Sequence, residues 1–154
     1  MTRIADALEL LTAQHDEIDA LLAEVSTAAN ADVRAHALDN LADKLTLHLA
    51  AEQQLLYPRL RGTVSDEVLA ELAVEHAEIK RVLAEVVWLE PDDEQFAKKL
   101  TSLKALLLTH SVWQERDLFE TVAEVRAADE LSDLGAQIHA WLDDATTPAV
   151  ATAA

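Results

Sequence analysis

The sequence predicts an all-α protein: an antiparallel, up-down-up-down four-helix bundle with a short extra C-terminal helix. Of the 154 residues, 51% are apolar and only two are Gly and three Pro, a composition that favours a few long helices. Apolar residues recur every three or four positions in four long segments. The breaks between these segments are short, so consecutive helices should be antiparallel neighbours.

Each of the four segments carries an apolar stripe of helical period with one histidine in it. The stripes are Ile4, Leu8, Leu11, His15, Ile18 and Leu22; Leu38, Leu41, Leu45, His48, Glu52 and Leu55; Leu69, Leu72, His76, Ile79, Leu83 and Val86; and Phe96, Leu100, Leu103, Leu107, His110, Gln114 and Leu118. Residues three or four apart share a helix face, so each stripe should face the bundle core.

The breaks fall at residues 28–32, 61–66 and 90–94 and contain residues that commonly begin a helix. These are Asn30 or Asp32, Ser65, and Pro91 with Asp92. A shorter amphipathic segment follows, with Leu131, Leu134, Ile138 and Trp141 on one face, and it should pack on the outside of the bundle. We expect one domain over residues 1–146 and a flexible tail over residues 147–154.

The charge and the absence of cysteine exclude several classes of function. The net charge is −17, from 29 acidic and 12 basic residues, which argues against nucleic acid or an anionic membrane as a partner. Without cysteine there is no disulfide, thiolate metal site or cysteine nucleophile. No apolar run reaches the roughly 18 residues of a membrane span, and the N-terminus does not resemble a signal peptide. We expect a soluble, cytoplasmic protein.

Four of the six histidines lie on the stripes, and His36 and His139 do not. With a rise of about 1.5 Å per residue, the four lie roughly 20 to 27 Å from the end of the bundle that holds the first and third breaks. They are His15, His48, His76 and His110. Four inward imidazoles at one level would leave buried polar groups unsatisfied. A metal such as iron, zinc or copper would resolve this. The alternative is a set of purely structural histidines.

Glu52 lies four residues after His48 and on the same stripe. A carboxylate facing a core is rare unless it is paired or binds a metal. The alternative partner is a core lysine such as Lys80. The second half of the chain repeats the pattern weakly: His110 has Gln114 in the place of the glutamate, with Glu115 displaced by one position.

These residues resemble the haemerythrin-like (HHE cation-binding) family over residues 8 to 120. The resemblance rests on four stretches, each containing one stripe histidine: QHDEID, HLAAEQQLLYP, VEHAEI and HSVWQERDLF. It implies a bundle that holds two non-haem irons. It also implies binding of dioxygen or nitric oxide, redox sensing, handling of iron or peroxide, or repair of iron–sulfur clusters.

The resemblance also implies a set of metal ligands. His15 and His48 would bind one iron, His76 and His110 the other, and Glu52 would bridge them. The second bridging carboxylate of the family pattern falls on Gln114, a neutral amide and a weaker ligand.

A further family histidine falls on Lys80, whose charge would oppose a second metal if it pointed inward; the alternative is a side chain that reaches solvent. For Asp19, Asp117 and Glu115 we expect solvated side chains. The alternatives are that Asp19 and Asp117 lie near the site and compensate for these changes, and that Glu115 faces a neighbouring helix. We expect Tyr57, Trp88, Trp113 and Trp141 to serve packing, with Trp113 as the alternative wall of an access path.

The leading hypothesis is a non-haem iron-binding protein, di-iron with an altered second half-site, that acts in O2 or NO binding or in peroxide or iron handling. Its partner would be a small diatomic ligand or peroxide. No general acid or nucleophile stands out, so any turnover would be metal-centred. The alternative is a metal-free or single-metal module with an interaction or regulatory role. The sequence does not identify a protein partner.

Overall fold

A computed structural model describes residues 5–147. Its helices in chain order are α1 (Ala7–Thr27), α2 (Ala31–Ala51), α3 (Tyr57–Arg59), α4 (Asp66–Trp88), α5 (Glu94–Trp113), α6 (Phe119–Val125) and α7 (Ala128–Thr146). One π-helical turn, Glu52–Leu56, joins α2 to α3, and another, Gln114–Leu118, joins α5 to α6. Helices α1, α2, α4 and α5 form the bundle, so the predicted all-α architecture is confirmed.

The side chains that begin the helices are largely those predicted. Asn30 accepts a hydrogen bond from the backbone of Val33 at the start of α2, and Ser65 accepts one from Val68 at the start of α4. Helix α5 differs, because Asp93 rather than Pro91 or Asp92 caps it. A short carboxylate that accepts from the first-turn N–H groups serves this role equally well one residue later.

Two apolar layers make up the core, and a polar layer separates them. The layer near the α1–α2 turn includes Leu22, Val25, Leu41, Leu45, Ile79, Val86, Phe96 and Leu103. The layer at the other end includes Ala7, Leu11, Leu56, Leu60, Phe119, Val122 and Ile138. The buried residues between them are Gln14, His15, His48, Glu52, His76, His110 and Gln114. The fold therefore buries a continuous polar section across all four bundle helices.

The π-turn after α2 explains a difference from the predicted stripe. Leu55 was expected to face the core, but Leu56 is the fully buried residue and Leu55 is half-buried. A π-turn closes its hydrogen bonds over five residues instead of four, so it moves the inward face on by one position. The same shift brings Tyr57 to the polar layer, and the second π-turn brings Phe119 to the boundary between that layer and the apolar one.

Helix α7 covers the end of the bundle, as expected of an extra helix, and its 19 residues make it nearly as long as the bundle helices. It packs closely at Gly135, where a β-carbon would lie 2.6 Å from the carbonyl oxygen of Ala5. Ile4 and the predicted tail beyond residue 147 lie outside the described residues. Within residues 5–147, no helix has the length and apolar character needed to cross a membrane.

Candidate metal centre

Four imidazoles surround one buried carboxylate in the polar layer. Each histidine comes from a different bundle helix, and none is more than 5% exposed; Glu52 is fully buried. The distances from the Nε2 atoms to the nearer Glu52 oxygen are 3.9 Å for His15, 3.0 Å for His48, 2.9 Å for His76 and 3.2 Å for His110. The structure therefore brings together all four predicted histidines and the predicted glutamate.

Three of the four imidazoles have a polar side chain behind them, on the side away from Glu52. His48 donates from Nδ1 to Gln14 at 2.7 Å, His110 donates from Nδ1 to Glu75, and Nδ1 of His15 lies 3.6 Å from a Glu115 oxygen. Outer partners of this kind fix the ring orientation and the tautomer of a histidine. In His48 and His110 they direct Nε2 toward Glu52.

The two π-turns begin at Glu52 and Gln114, which hold equivalent places in the two halves of the chain. The Tyr57 N–H bonds to the Glu52 carbonyl, and the Phe119 N–H bonds to the Gln114 carbonyl. A five-residue turn places its first residue and the residue after its end on one helix face. Glu52 and Tyr57 therefore both point into the centre, as do Gln114 and Phe119 in the second half of the chain.

Tyr57 lies inside the centre rather than in a packing role alone. Its hydroxyl group donates to Glu52 Oε2 at 3.0 Å, lies 2.9 Å from Nε2 of His76 and accepts from the Gln114 amide at 2.9 Å. Gln114 is fully buried. The Tyr57 hydroxyl group thus contacts His76, Glu52 and Gln114. In the family pattern, the positions of Glu52 and Gln114 hold the bridging carboxylates.

The two halves of the centre match in position but differ in chemistry. Phe119 holds the place equivalent to Tyr57, and its ring stacks on His15 with centroids 6.2 Å apart and planes 5° apart. The carboxylate and the phenol belong to the first half, and the second half contributes an amide and an apolar ring. The duplicated pattern therefore builds an unequal pair of half-sites.

Several buried polar atoms of the centre lack a hydrogen-bond partner among the described residues. They are both ring nitrogens of His15, Nε2 of His48 and of His110, Nδ1 of His76, Oε1 of Glu52 and Oε1 of Gln114. One atom each from His15, His48, Glu52 and His110 lie within 4.8 Å of one another. Imidazole and carboxylate are ligands that suit iron or zinc, so these residues fit a metal ion.

The charge of the centre is balanced around Glu52. Burial would raise the pKa of Glu52, but His48 and His110 outweigh it and hold that pKa well below the usual range. Burial likewise opposes a charge on His110, but Glu52 and Glu75 prevail and raise its pKa to about 9. Burial lowers the pKa of His48, and burial with the Glu52 charge raises that of Tyr57. Without a metal, the centre holds a carboxylate, a protonated His110 and a neutral phenol.

The remaining candidates divide between the surface and the edge of the centre. Lys80 is exposed and donates to Gln53 at 3.4 Å, so its pairing with Glu52 is wrong and the solvent-reaching alternative is right. Asp117 is exposed, as expected. Asp19 is exposed too, but it borders a small cavity of about 10 Å³ whose walls include three of the histidines.

Four functional candidates were missed or misjudged from the sequence. Glu115 was expected to be solvated, but it is half-buried and approaches His15. Tyr57 was assigned to packing between helices, but its hydroxyl group contacts Glu52 and His76. Gln14 and Glu75 were overlooked, although each directly precedes a stripe histidine at the same place in its half of the chain. A comparison of the two halves would have found this last pair.

Comparison with known proteins gives three findings. The family model described as "Hemerythrin HHE cation binding domain" matches residues 6–122. A crystal structure of a hemerythrin HHE cation-binding domain-containing protein, the Rv2633c homolog from Mycobacterium kansasii, is 26% identical with a TM-score of 0.81; the match covers 91% of this chain and 86% of that one. A DNA nickase from Nostoc sp. is 21% identical over 132 residues, which are 86% of this chain; the match spans only 38% of the nickase.

The raised pKa of His110 predicts a pH dependence for the metal-free protein. Protonated His110 stabilises the fold fully below its ordinary pKa of 6.5, and this contribution is lost as pH rises through about 9. The free energy of unfolding should therefore fall between these values, by up to roughly 3 kcal/mol. Denaturant titrations across this range measure it. Glu75→Gln should shift the loss to lower pH, and identical profiles for both proteins would contradict the assignment.

Proposed function

Because the chain belongs to the hemerythrin HHE cation-binding family, we propose that its polar layer binds non-haem iron and that the iron binds O2, NO or peroxide. The supporting observation is the convergence of four Nε2 atoms on Glu52, with several of the donor atoms lacking partners. Nε2 of His48 and of His110 lie 3.0 and 3.2 Å from oxygens of the carboxylate, and a metal cation would bind these donor atoms in exchange for the proton of His110.

The first metal position would consist of His15, His48, His110 and Glu52, whereas the family resemblance groups His110 with His76. Their donor atoms are mutually close, and the outer partners described above hold the rings of His48 and His110 in place. Three neutral imidazoles and one carboxylate give a low net ligand charge that suits a divalent ion. This position is expected to fill first.

The second metal position consists of His76, Tyr57, Glu52 and Gln114. The hydroxyl group of Tyr57 lies within 3.0 Å of both His76 and Glu52, and the Gln114 carbonyl oxygen is buried without a partner. Gln114 is neutral where the family pattern has a carboxylate. A phenolate at Tyr57 would supply the missing negative charge. The raised pKa of Tyr57 means that only a strongly attracting ion, such as ferric iron, would displace its proton.

When bound, iron would supply redox chemistry and open coordination positions for a small ligand. The chain itself supplies burial, which excludes bulk water, and rigid orientation of the rings through Gln14 and Glu75. Phe119 closes the centre on the His15 side. The nickase activity in the name of the Nostoc relative is not part of this proposal, because the charge of −17 disfavours a phosphate backbone.

A single-metal protein is the second candidate, and two observations favour it. The Tyr57 hydroxyl group hydrogen-bonds to Glu52 and Gln114 and contacts His76, so these side chains contact one another without a cation. His76 is also absent from the group of mutually close donors. In that case only the first position would bind a metal.

Gln114→Glu tests the second position. The added carboxylate should raise affinity for a second metal on the order of tenfold, since charged ligands bind cations more strongly than amides do. Metal content and the near-ultraviolet absorption of protein from iron-supplemented cells, purified without chelator, measure the effect. Gln54→Glu, at an exposed position of the other π-turn, is the control. If the wild type holds no stoichiometric metal, the proposed function fails; if Gln114→Glu matches the control, Gln114 is not at a metal.

Tyr57→Phe separates the two candidates. In the two-metal protein, ferric iron at the second position should give a visible phenolate-to-iron absorption band. The substitution should abolish that band and lower iron toward one per chain, because the first position keeps all its ligands. Absorption spectra and elemental analysis of the two proteins provide the measurement. One iron per chain and no band in both proteins would instead identify the single-metal candidate.

A further inference from the structure

A shallow acidic cleft lies on the surface beside Glu115 and Phe119, both of which approach His15. It has a volume of about 540 Å³ and lies between α1 and the chain around the start of α6. Its lining includes Thr12, Asp16, Glu115, Phe119 and Glu120, and no Lys or Arg. Two other large clefts of the described chain have mixed charge instead, one with Arg34 and Lys104 and the other with Arg81 and Lys99.

His15 connects this cleft to the buried centre. The side chain is only 5% exposed, and neither ring nitrogen has a hydrogen-bond partner among residues 5–147. Nδ1 lies 3.6 Å from a Glu115 oxygen at the cleft, and Nε2 lies 3.9 Å from Glu52 on the inner side. A single imidazole ring is thus all that separates a surface carboxylate from the central one.

We propose that this cleft is the entry site through which a divalent cation reaches the centre. Asp16 and Glu120 are exposed and attract the ion, and Glu115 with Nδ1 of His15 receives it at the inner end. The ion then passes the His15 ring and reaches the inner donor atoms around Glu52. The inference rests on the proposed metal-binding function and adds to it a route for the metal.

The charge of the cleft explains why entry would be fast there. A concave surface lined by one sign of charge focuses the field and raises the local concentration of counter-ions, with on-rates increased by about ten- to a thousandfold. Oxygen ligands on separate side chains attract a divalent ion without trapping it, since a tight site needs several donors at once. The half-buried Glu115 then offers a stronger attraction than the rim does, because less water screens it.

Cobalt(II) uptake by the full-length, metal-free protein tests the route. Stopped-flow absorption follows binding, and displacement by a chelator gives the dissociation rate. The variant Asp16→Asn/Glu120→Gln removes two exposed cleft charges that are not among the proposed metal ligands. It should lower the uptake rate at least fivefold at low ionic strength, with the dissociation rate and the final stoichiometry unchanged. Added salt should reduce the difference.

Asp39→Asn/Asp43→Asn is the matched control, because it removes the same charge from exposed positions on α2. It should leave the uptake rate within twofold of wild type. Equal slowing in both variants would overturn the proposal, because it would mean that only the total charge matters. No slowing in the cleft variant would also overturn it. Absence of cobalt binding in the wild type would instead contradict the proposed function, so the two failures are distinguishable.

Glu115→Gln adds a second measurement. If Glu115 lies on the route, uptake slows even though the side chain keeps its shape. If Glu115 only holds the His15 ring in position, dissociation accelerates and uptake stays at the wild-type rate. That second result would remove Glu115 from the entry site.

Discussion

The fully buried Glu52 carboxylate is the constraint on which the rest of this structure depends. A lone buried charge is costly, and four imidazoles, one per bundle helix, stabilise this one. The outer partners of His48 and His110 direct Nε2 of both rings at that same carboxylate, which gathers donor atoms that suit a metal ion. The polar layer interrupts an otherwise apolar core and is explained by metal binding better than by structural histidines.

The two π-turns determine which residues join this layer. Each begins four residues after a histidine and brings the residue five positions later to the same face. The result is a duplicated frame with unequal contents, Glu52 and Tyr57 in one half and Gln114 and Phe119 in the other. The second half has the Gln114 amide where the family pattern has a carboxylate. The Tyr57 hydroxyl group of the first half accepts a hydrogen bond from that amide.

Helical period alone predicted the bundle, the extra helix, and the burial of all four histidines with Glu52, because apolar stripes and short breaks leave few other arrangements. The same reasoning failed at Leu55, and it could not place Tyr57. A π-turn changes the helical period at these residues, and no residue type in the sequence indicates a π-turn. It also failed at Glu115, since approach to His15 depends on how α1 packs against the π-turn. For Lys80 the sequence left an inward and a solvent-reaching side chain open, and the structure shows the solvent-reaching one.

An anomalous difference map at the iron edge, from crystals of iron-loaded protein, tests the central claim most directly. A cation held between the imidazoles and Glu52 predicts a strong peak bounded by Nε2 of His15, His48 and His110. The two-metal protein adds a second peak beside Tyr57 and His76. A map without a peak in the polar layer, from crystals soaked with excess iron and with Glu52 still contacted by the same four histidines, would contradict it.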